Sequence, residues 1–320
     1  MIRNRRTFPN PADRAIRDRV LRAIAANRVP GLHFAGHFLD LAWQEVTADT
    51  AAMAMAAGPH CRDADGAVNL VALGILVDNI LATPTRTEAV PGARLATIQI
   101  NLQFTGQQIS GDLTAEGRLV GRSEQAQLRR ELSSATISAA GAAVCHASGE
   151  FALLDAPPGV TLAPLPWQRS EPPPLATVDP DEFTPAERAI LRLCDAALAK
   201  STPAASFIQH LWGGLPRRSA HGAAHRVAIG PHIGNRVGHV QGGALLGLAA
   251  TTARAAAPAG MLPAAISAWY ISPGRGAALT IRSRILHAGR TLAVVRTEIK
   301  TPAGERVLEA VSHHVARRAA

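Results

Sequence analysis

Two stretches of the chain are apolar on every face. LVALGILVDNILA follows Asn69 and is polar only at Asp78 and Asn79, and GGALLGLAATTARAA follows Gln241. A helix without a polar side has to be buried, so each stretch predicts a central helix, over 69–81 and over 241–256. An amphipathic helix is expected well ahead of each, at 12–27 and 182–199. Around the first central helix, two-residue alternation predicts strands at 41–46, 50–55, 96–104, 111–122, 126–139 and 142–154. Around the second, strands are expected at 224–230, 264–271, 277–287, 291–301 and 305–316. An antiparallel sheet curled around each helix is the simple way to cover it, which makes the chain α+β.

The two halves are copies. Setting Gly58 against Gly230 aligns GPHCRDADGAVNLVALGILVD with GPHIGNRVGHVQGGALLGLAA without a gap. Gly58-Pro59-His60 falls on Gly230-Pro231-His232, Gly66 on Gly238, Val68 on Val240 and Asn69 on Gln241. Later strands align at a shorter offset, because the loop after the second central helix is shorter. A tandem repeat accounts for this pattern. Residues 1–154 and 182–320 are expected as two domains. The proline-rich stretch 155–181 is expected as a linker crossing the surface, with Thr184 or Asp181 capping the helix after it.

Composition narrows the partners. An apolar fraction of 47% and a charged fraction of 18% describe a globular chain with a sizeable core. The formal charge of +9 comes from scattered arginines, and aromatic residues are only 4%, so there is no stacking platform for single-stranded nucleic acid. Cys61, Cys145 and Cys194 are too far apart for a zinc site or a disulfide frame. The basic start carries no apolar signal region, and no apolar run reaches the length of a membrane span. The expectation is a cytoplasmic protein with no nucleic-acid or membrane partner and no metal.

The copies differ where chemistry would sit. Asp78 lies on an otherwise apolar helix, where a carboxylate is costly unless it is functional or well compensated. Its counterpart is Ala250. Gln241-Gly242-Gly243 opens the second central helix and leaves free backbone N–H groups where the helix dipole is positive, a site fit for an oxyanion. Its counterpart is Asn69-Leu70-Val71. Asp78 stands about 13 Å along its own helix from the N-terminus, too far to act there. It is within reach only of the start of an antiparallel neighbour. One half keeps the acid and the other keeps the oxyanion site, which argues for one composite site.

Asn235, Gln241-Gly242-Gly243 and the helix that follows resemble the Asn…His-Gly-Gly…Asp/Glu motif of hotdog-fold acyl-CoA thioesterases of the phenylacetate-pathway and 4-hydroxybenzoyl-CoA type. RLATIQINLQFTG, from Arg94 to Gly106, is similar to that family's strand after the central helix, with Thr97 at its hydroxyl position. The resemblance implies two fused hotdog domains, each an antiparallel sheet wrapped around a central helix, and hydrolysis of an acyl thioester to acid and thiol. It implies Asp78 as general base, the Gly242 N–H as polariser of the carbonyl, and Gln241 and Asn235 as orienting groups. Thr97 would bond the carboxylate or the water, and Gly243 and His239 would touch substrate. Coenzyme A would enter only as part of a small-molecule acyl-CoA substrate, without other cofactor, and the chain would form a homo-oligomer. Gln241 departs from the family's His, Ala250 from the acid, and Pro263 or Ala264 falls at the second hydroxyl position. The mirror-image site is therefore expected to be inactive. A non-catalytic acyl-CoA- or lipid-binding double hotdog is the alternative. His60 and His232 recur in both copies and read as structural turn residues. Arg217, Arg218 and Arg275 are candidates for coenzyme A phosphates, with surface solvation as the default.

Overall fold

The computed structural model describes residues 10–86, 93–125, 128–155, 162–169 and 178–317. The basic start over 1–9 and most of the proline-rich stretch therefore lie outside the described residues. The first half runs α1 (Pro11–Asn27), α2 (Phe34–Phe38), β1 (Leu41–Val46), β2 (Thr50–Met55), α3 (Leu70–Ala82), β3 (Arg94–Phe104), β4 (Leu113–Gln125), β5 (Leu128–Ala139) and β6 (Ala142–Leu154). The second runs α4 (Pro185–Lys200), α5 (Phe207–Leu211), β7 (Arg217–Ser219), β8 (Gly222–Ala228), α6 (Gly242–Ala256), β9 (Met261–Tyr270), β10 (Ala278–Ala288), β11 (Leu292–Lys300) and β12 (Arg306–Ala316). Thr184 caps α4 through a reciprocal pair with Glu187. The short helices α2 and α5 and the strand β7 carry too few residues to show a period, so the pattern alone predicts none of them. The strand expected at 224–230 begins earlier, at Gly222, and ends at Ala228.

The strands form one antiparallel sheet in the order β1-β2-β4-β5-β6-β3-β9-β12-β11-β10-β8-β7. Each half supplies a run of neighbours, and β3 and β9 join them. At that seam Asn101 faces Ser267, with Gln99 opposite Trp269 and Gln103 opposite Ala265. A pseudo-twofold axis thus passes through the Asn101–Ser267 pair. Both strands carry a register shift on their outer partner, between Thr97 and Gln99 on β3 and between Pro263 and Ala265 on β9. The shared bulge fixes the correspondence: Thr97 falls on Pro263, and Phe104, which ends β3, falls on Tyr270, which ends β9.

Inside the sheet, α3 and α6 pack against each other in antiparallel sense. A Cβ on Gly74 would lie 2.3 Å from the Gly243 carbonyl oxygen, and one on Gly243 2.0 Å from that of Gly74. One turn further on, a Cβ on Gly247 would meet Val71 Cα at 2.3 Å. Any side chain at these points would separate the helices. Leu73, Ile75, Leu76 and Ile80 of α3 and Leu246, Leu248 and Ala249 of α6 are fully buried in a common core. Outside, Arg28 at the end of α1 donates to Glu187 of α4 at 2.7 and 2.9 Å, a paired contact between the two copies' opening helices.

Part of the proline-rich stretch departs from the expected surface path. Within 162–169, Leu165 is buried and Trp167 packs on Trp43 at 5.0 Å between ring centroids. The apolar Leu162, Leu165 and Trp167 in this segment supply the reason, since all three line a cavity. No helix among the described residues is long and apolar enough to cross a membrane.

Candidate active site between the two halves

The crossing of α3 and α6 sets Asp78 over the start of α6. A Cβ on Gly242 would lie 3.1 Å from Asp78 Oδ1, 3.2 Å from Asp78 Oδ2 and 3.1 Å from Thr97 Oγ1, so any side chain there would press on both groups. Thr97 Oγ1 donates to Asp78 Oδ1 at 3.1 Å, and Gln241 Nε2 donates to Asp78 Oδ2 at 2.7 Å. Gln241 is the N-cap of α6. Its Oε1 accepts from Ala244 N at 2.7 Å, which fixes the amide's orientation with Nε2 toward the carboxylate. These groups line a cavity of about 390 Å³.

Asp78 is buried, 9% exposed. Burial pushes its pKa up to about 6, against the opposing pull of the Thr97 hydroxyl, the Gly243 N–H and the Arg86 charge. The balance leaves it ionised at neutral pH yet basic enough to accept a proton. Tyr270, at the end of β9, donates to the Gly242 carbonyl at 2.9 Å. Burial and the Asp78 charge hold its phenol well above the ordinary pKa, so it stays protonated.

The other expected residues are placed differently from one another. Asn235 lines the cavity, but its Oδ1 accepts from Val237 N at 3.0 Å and His239 N at 2.9 Å. That oxygen shapes the loop, leaving only the amide nitrogen for a ligand. His239 also lines the cavity and accepts from Arg275 Nε at 3.0 Å. Gly243 faces Gly74 across the helix crossing rather than the cavity. Arg217 and Arg218 sit exposed on the edge strand β7. His60 and His232 are buried against Phe38 and Trp212, with burial lowering each to a pKa of about 4. Among the described residues no group of His, Cys, Asp or Glu is placed to hold a metal ion. Sequence reasoning missed Tyr270, Arg86, Arg236 and Trp167 in the cavity wall; the solitary tyrosine at the end of an apolar strand was the one available signal.

The pseudo-symmetric position is built from other chemistry. Ala250 stands for Asp78, Pro263 for Thr97 and Phe104 for Tyr270. Asn69 caps α3 through Val71 N at 2.9 Å, as Gln241 caps α6, but its amide donates to Asp63 Oδ1 at 2.6 Å. Arg254 closes on the other oxygen of Asp63 at 2.8 Å. A partly buried ion pair takes the place of the acid and its donors.

Residues 232–315 match the acyl-CoA thioesterase N-terminal domain family, a span that includes Asn235, Gln241 and all of α6 and β9. A search of curated proteins finds no match. Among solved structures, the chain is similar to an oleoyl thioesterase (putative) from Lactobacillus plantarum, at 12% identity and TM-score 0.53, covering 84% of this chain and 97% of that one. It is similar to a putative thioesterase II from Thermobifida fusca at 15% identity and TM-score 0.50, covering 91% and 99%. A conserved protein with a hot dog fold from Alicyclobacillus acidocaldarius gives 10% identity and TM-score 0.50, covering 88% and 96%. At these identities the likeness speaks for the fold: this is an α+β hotdog architecture, with an antiparallel sheet wrapped around a central helix in each half.

Proposed function

We propose that the chain hydrolyses acyl thioesters, of coenzyme A in the first instance, at one site between its halves. The observation that carries this reading is a buried carboxylate with a pKa of about 6, held between a hydroxyl and an amide over a glycine helix start. The match of 232–315 to an acyl-CoA thioesterase domain supports the substrate class.

A water donating one proton to Asp78 lies beside Thr97 and the second Nε2 hydrogen of Gln241. The thioester carbonyl sits at the Gly242 N–H, where the α6 dipole and that donor stabilise negative charge. The water oxygen forms a bond to the carbonyl carbon while its proton passes to Asp78. The tetrahedral oxyanion then collapses, the carbon–sulfur bond breaks, and Asp78 returns the proton to the departing thiolate. The products are a free acid and a thiol, and Asp78 is again ionised. Tyr270 positions the Gly242 peptide through its carbonyl. Coenzyme A is part of the substrate in this scheme, and no other cofactor is required.

Thiol release from a panel of short, long and aromatic acyl-CoAs tests the proposal, with Asp78→Asn alongside. Expected is turnover by the parent and a loss of about a hundredfold or more in the variant. Turnover by Asp78→Asn at the parent rate would sink the assignment of the base. Tight binding of every acyl-CoA without thiol release would favour a non-catalytic binding protein.

A further inference from the structure

Part of the cavity wall is exposed: Ile271 is 52% exposed, beside exposed Pro273. Leu95, Leu154, Leu165 and Trp167 give it apolar walls. Arg86 lines the same cavity, one turn beyond the C-cap of α3, with its backbone N–H on the Thr83 carbonyl at 3.0 Å. Arg94 and Arg236 line the same space, and Asp78 is the only carboxylate among the described lining residues. Both Asp78 oxygens already accept hydrogen bonds.

Arg94 Nε is buried without a partner, whereas two other guanidiniums are partly occupied. Arg236 donates to the Ala163 carbonyl, and Arg169 behind it donates to the Pro30 and Pro164 carbonyls. Arg86 makes no ion pair with a described residue. Burial and the neighbouring Arg236 charge press its pKa down to about 10. A guanidinium held in an apolar recess beside another cation is costly. A hydrocarbon acyl chain would bury it further without compensation. An anion entering that recess offsets both burdens, and a carboxylate matches the planar fork of an arginine. The phosphates of a carrier suit exposed Arg275, which donates to His239 on the cavity wall.

We propose that Arg86 receives a carboxylate carried by the acyl group itself, so that the preferred substrates are thioesters of dicarboxylic acids with a short apolar spacer. The inference rests on the thioesterase reading. Arg86 is then a specificity-determining residue, with Arg236 reinforcing the positive field. The spacer runs along Leu95 and Leu154, and the thioester carbonyl stays at Gly242.

The test compares glutaryl-CoA with valeryl-CoA, which share a five-carbon chain, at pH 8 where Asp78 is ionised. The wild-type kcat/KM should favour the glutaryl thioester, and Arg86→Met should lower the glutaryl-to-valeryl ratio by about thirtyfold or more. Arg86→Lys should fall between them, with circular dichroism and a thermal melt checking the fold of each variant. An unchanged ratio in Arg86→Met overturns the proposal. So does a loss of the preference for coenzyme A over pantetheine thioesters in place of the acyl preference, since that would assign Arg86 to a carrier phosphate. Calorimetric binding of the matched non-hydrolysable thioethers separates this inference from hydrolysis. An Arg86-dependent preference for the carboxylated thioether without any thiol release would keep the acyl assignment and reject the thioesterase reading. Equal binding of the two thioethers would reject the acyl assignment itself.

Discussion

Gln241 Nε2 and Asp78 Oδ2 meet at 2.7 Å although the residues belong to opposite halves of the chain. The same amide caps α6 through its oxygen, so one side chain both starts a helix and orients the proposed base. Gln241→Ala should therefore show two effects. Losing the cap costs about 1 kcal/mol of stability. Losing the donor removes support for the ionised carboxylate and raises the Asp78 pKa further. A pH–rate profile of the variant should place its acidic limb above that of the parent, with kcat/KM at pH 7 reduced about tenfold to a hundredfold.

The parent profile follows from Asp78 itself. The proposed base acts when ionised, so kcat/KM should fall as pH drops through about 6. The linkage to stability has the opposite sense. The folded carboxyl keeps its proton up to about pH 6, whereas the unfolded one loses it near 3.8. Stability from this group is thus lost as pH rises through that window, by about 3 kcal/mol in total. Asp78→Asn should be less active but about 1–3 kcal/mol more stable at pH 8 in urea titrations. A variant less stable than the parent would contradict this account of the site's strain.

Arg254 offers the matching control. It pairs with Asp63, whose carboxylate is only 2% exposed, at the position the repeat places opposite the proposed site. Arg254→Leu should destabilise by about 1–3 kcal/mol, since it leaves the buried Asp63 carboxylate with Asn69 alone while the pair itself is partly exposed. Hydrolysis by the folded variant should stay within about twofold of the parent. A hundredfold loss at full fold would mean that the second position takes part in the reaction.

Tyr270→Phe gives this site the residue that Phe104 supplies in the other half. The Gly242 carbonyl then loses its donor, worth about 1 kcal/mol. Turnover should drop about tenfold, more in kcat than in KM, because the peptide at the carbonyl-binding position is less well held. Parallel melts and Michaelis profiles separate the two contributions.

The central helices were legible because an all-apolar stretch has one destination, and the repeat made Asp78 and Gln241 stand out by what their counterparts lacked. Asn235 shows what motif position leaves open. Its side chain is short enough to reach the N–H groups of its own loop, and nothing in the spacing tells which partner its oxygen takes. Tyr270 and Arg86 were not legible for a different reason. Their distance from Asp78 depends on the register of β3 against β9 and on the turn after α3. Antiparallel register between distant strands leaves no mark on either strand's own alternation.

The glycine contact between α3 and α6 has a consequence for the order of synthesis. A nascent chain that has emerged only through β6 carries the proposed base without its proposed oxyanion site, since Gly242 and Gly243 have yet to be made. When α6 arrives, backbone meets backbone at Gly74, and the reacting groups fall into position without adjustable side chains between them. Assembly and activation are then a single event.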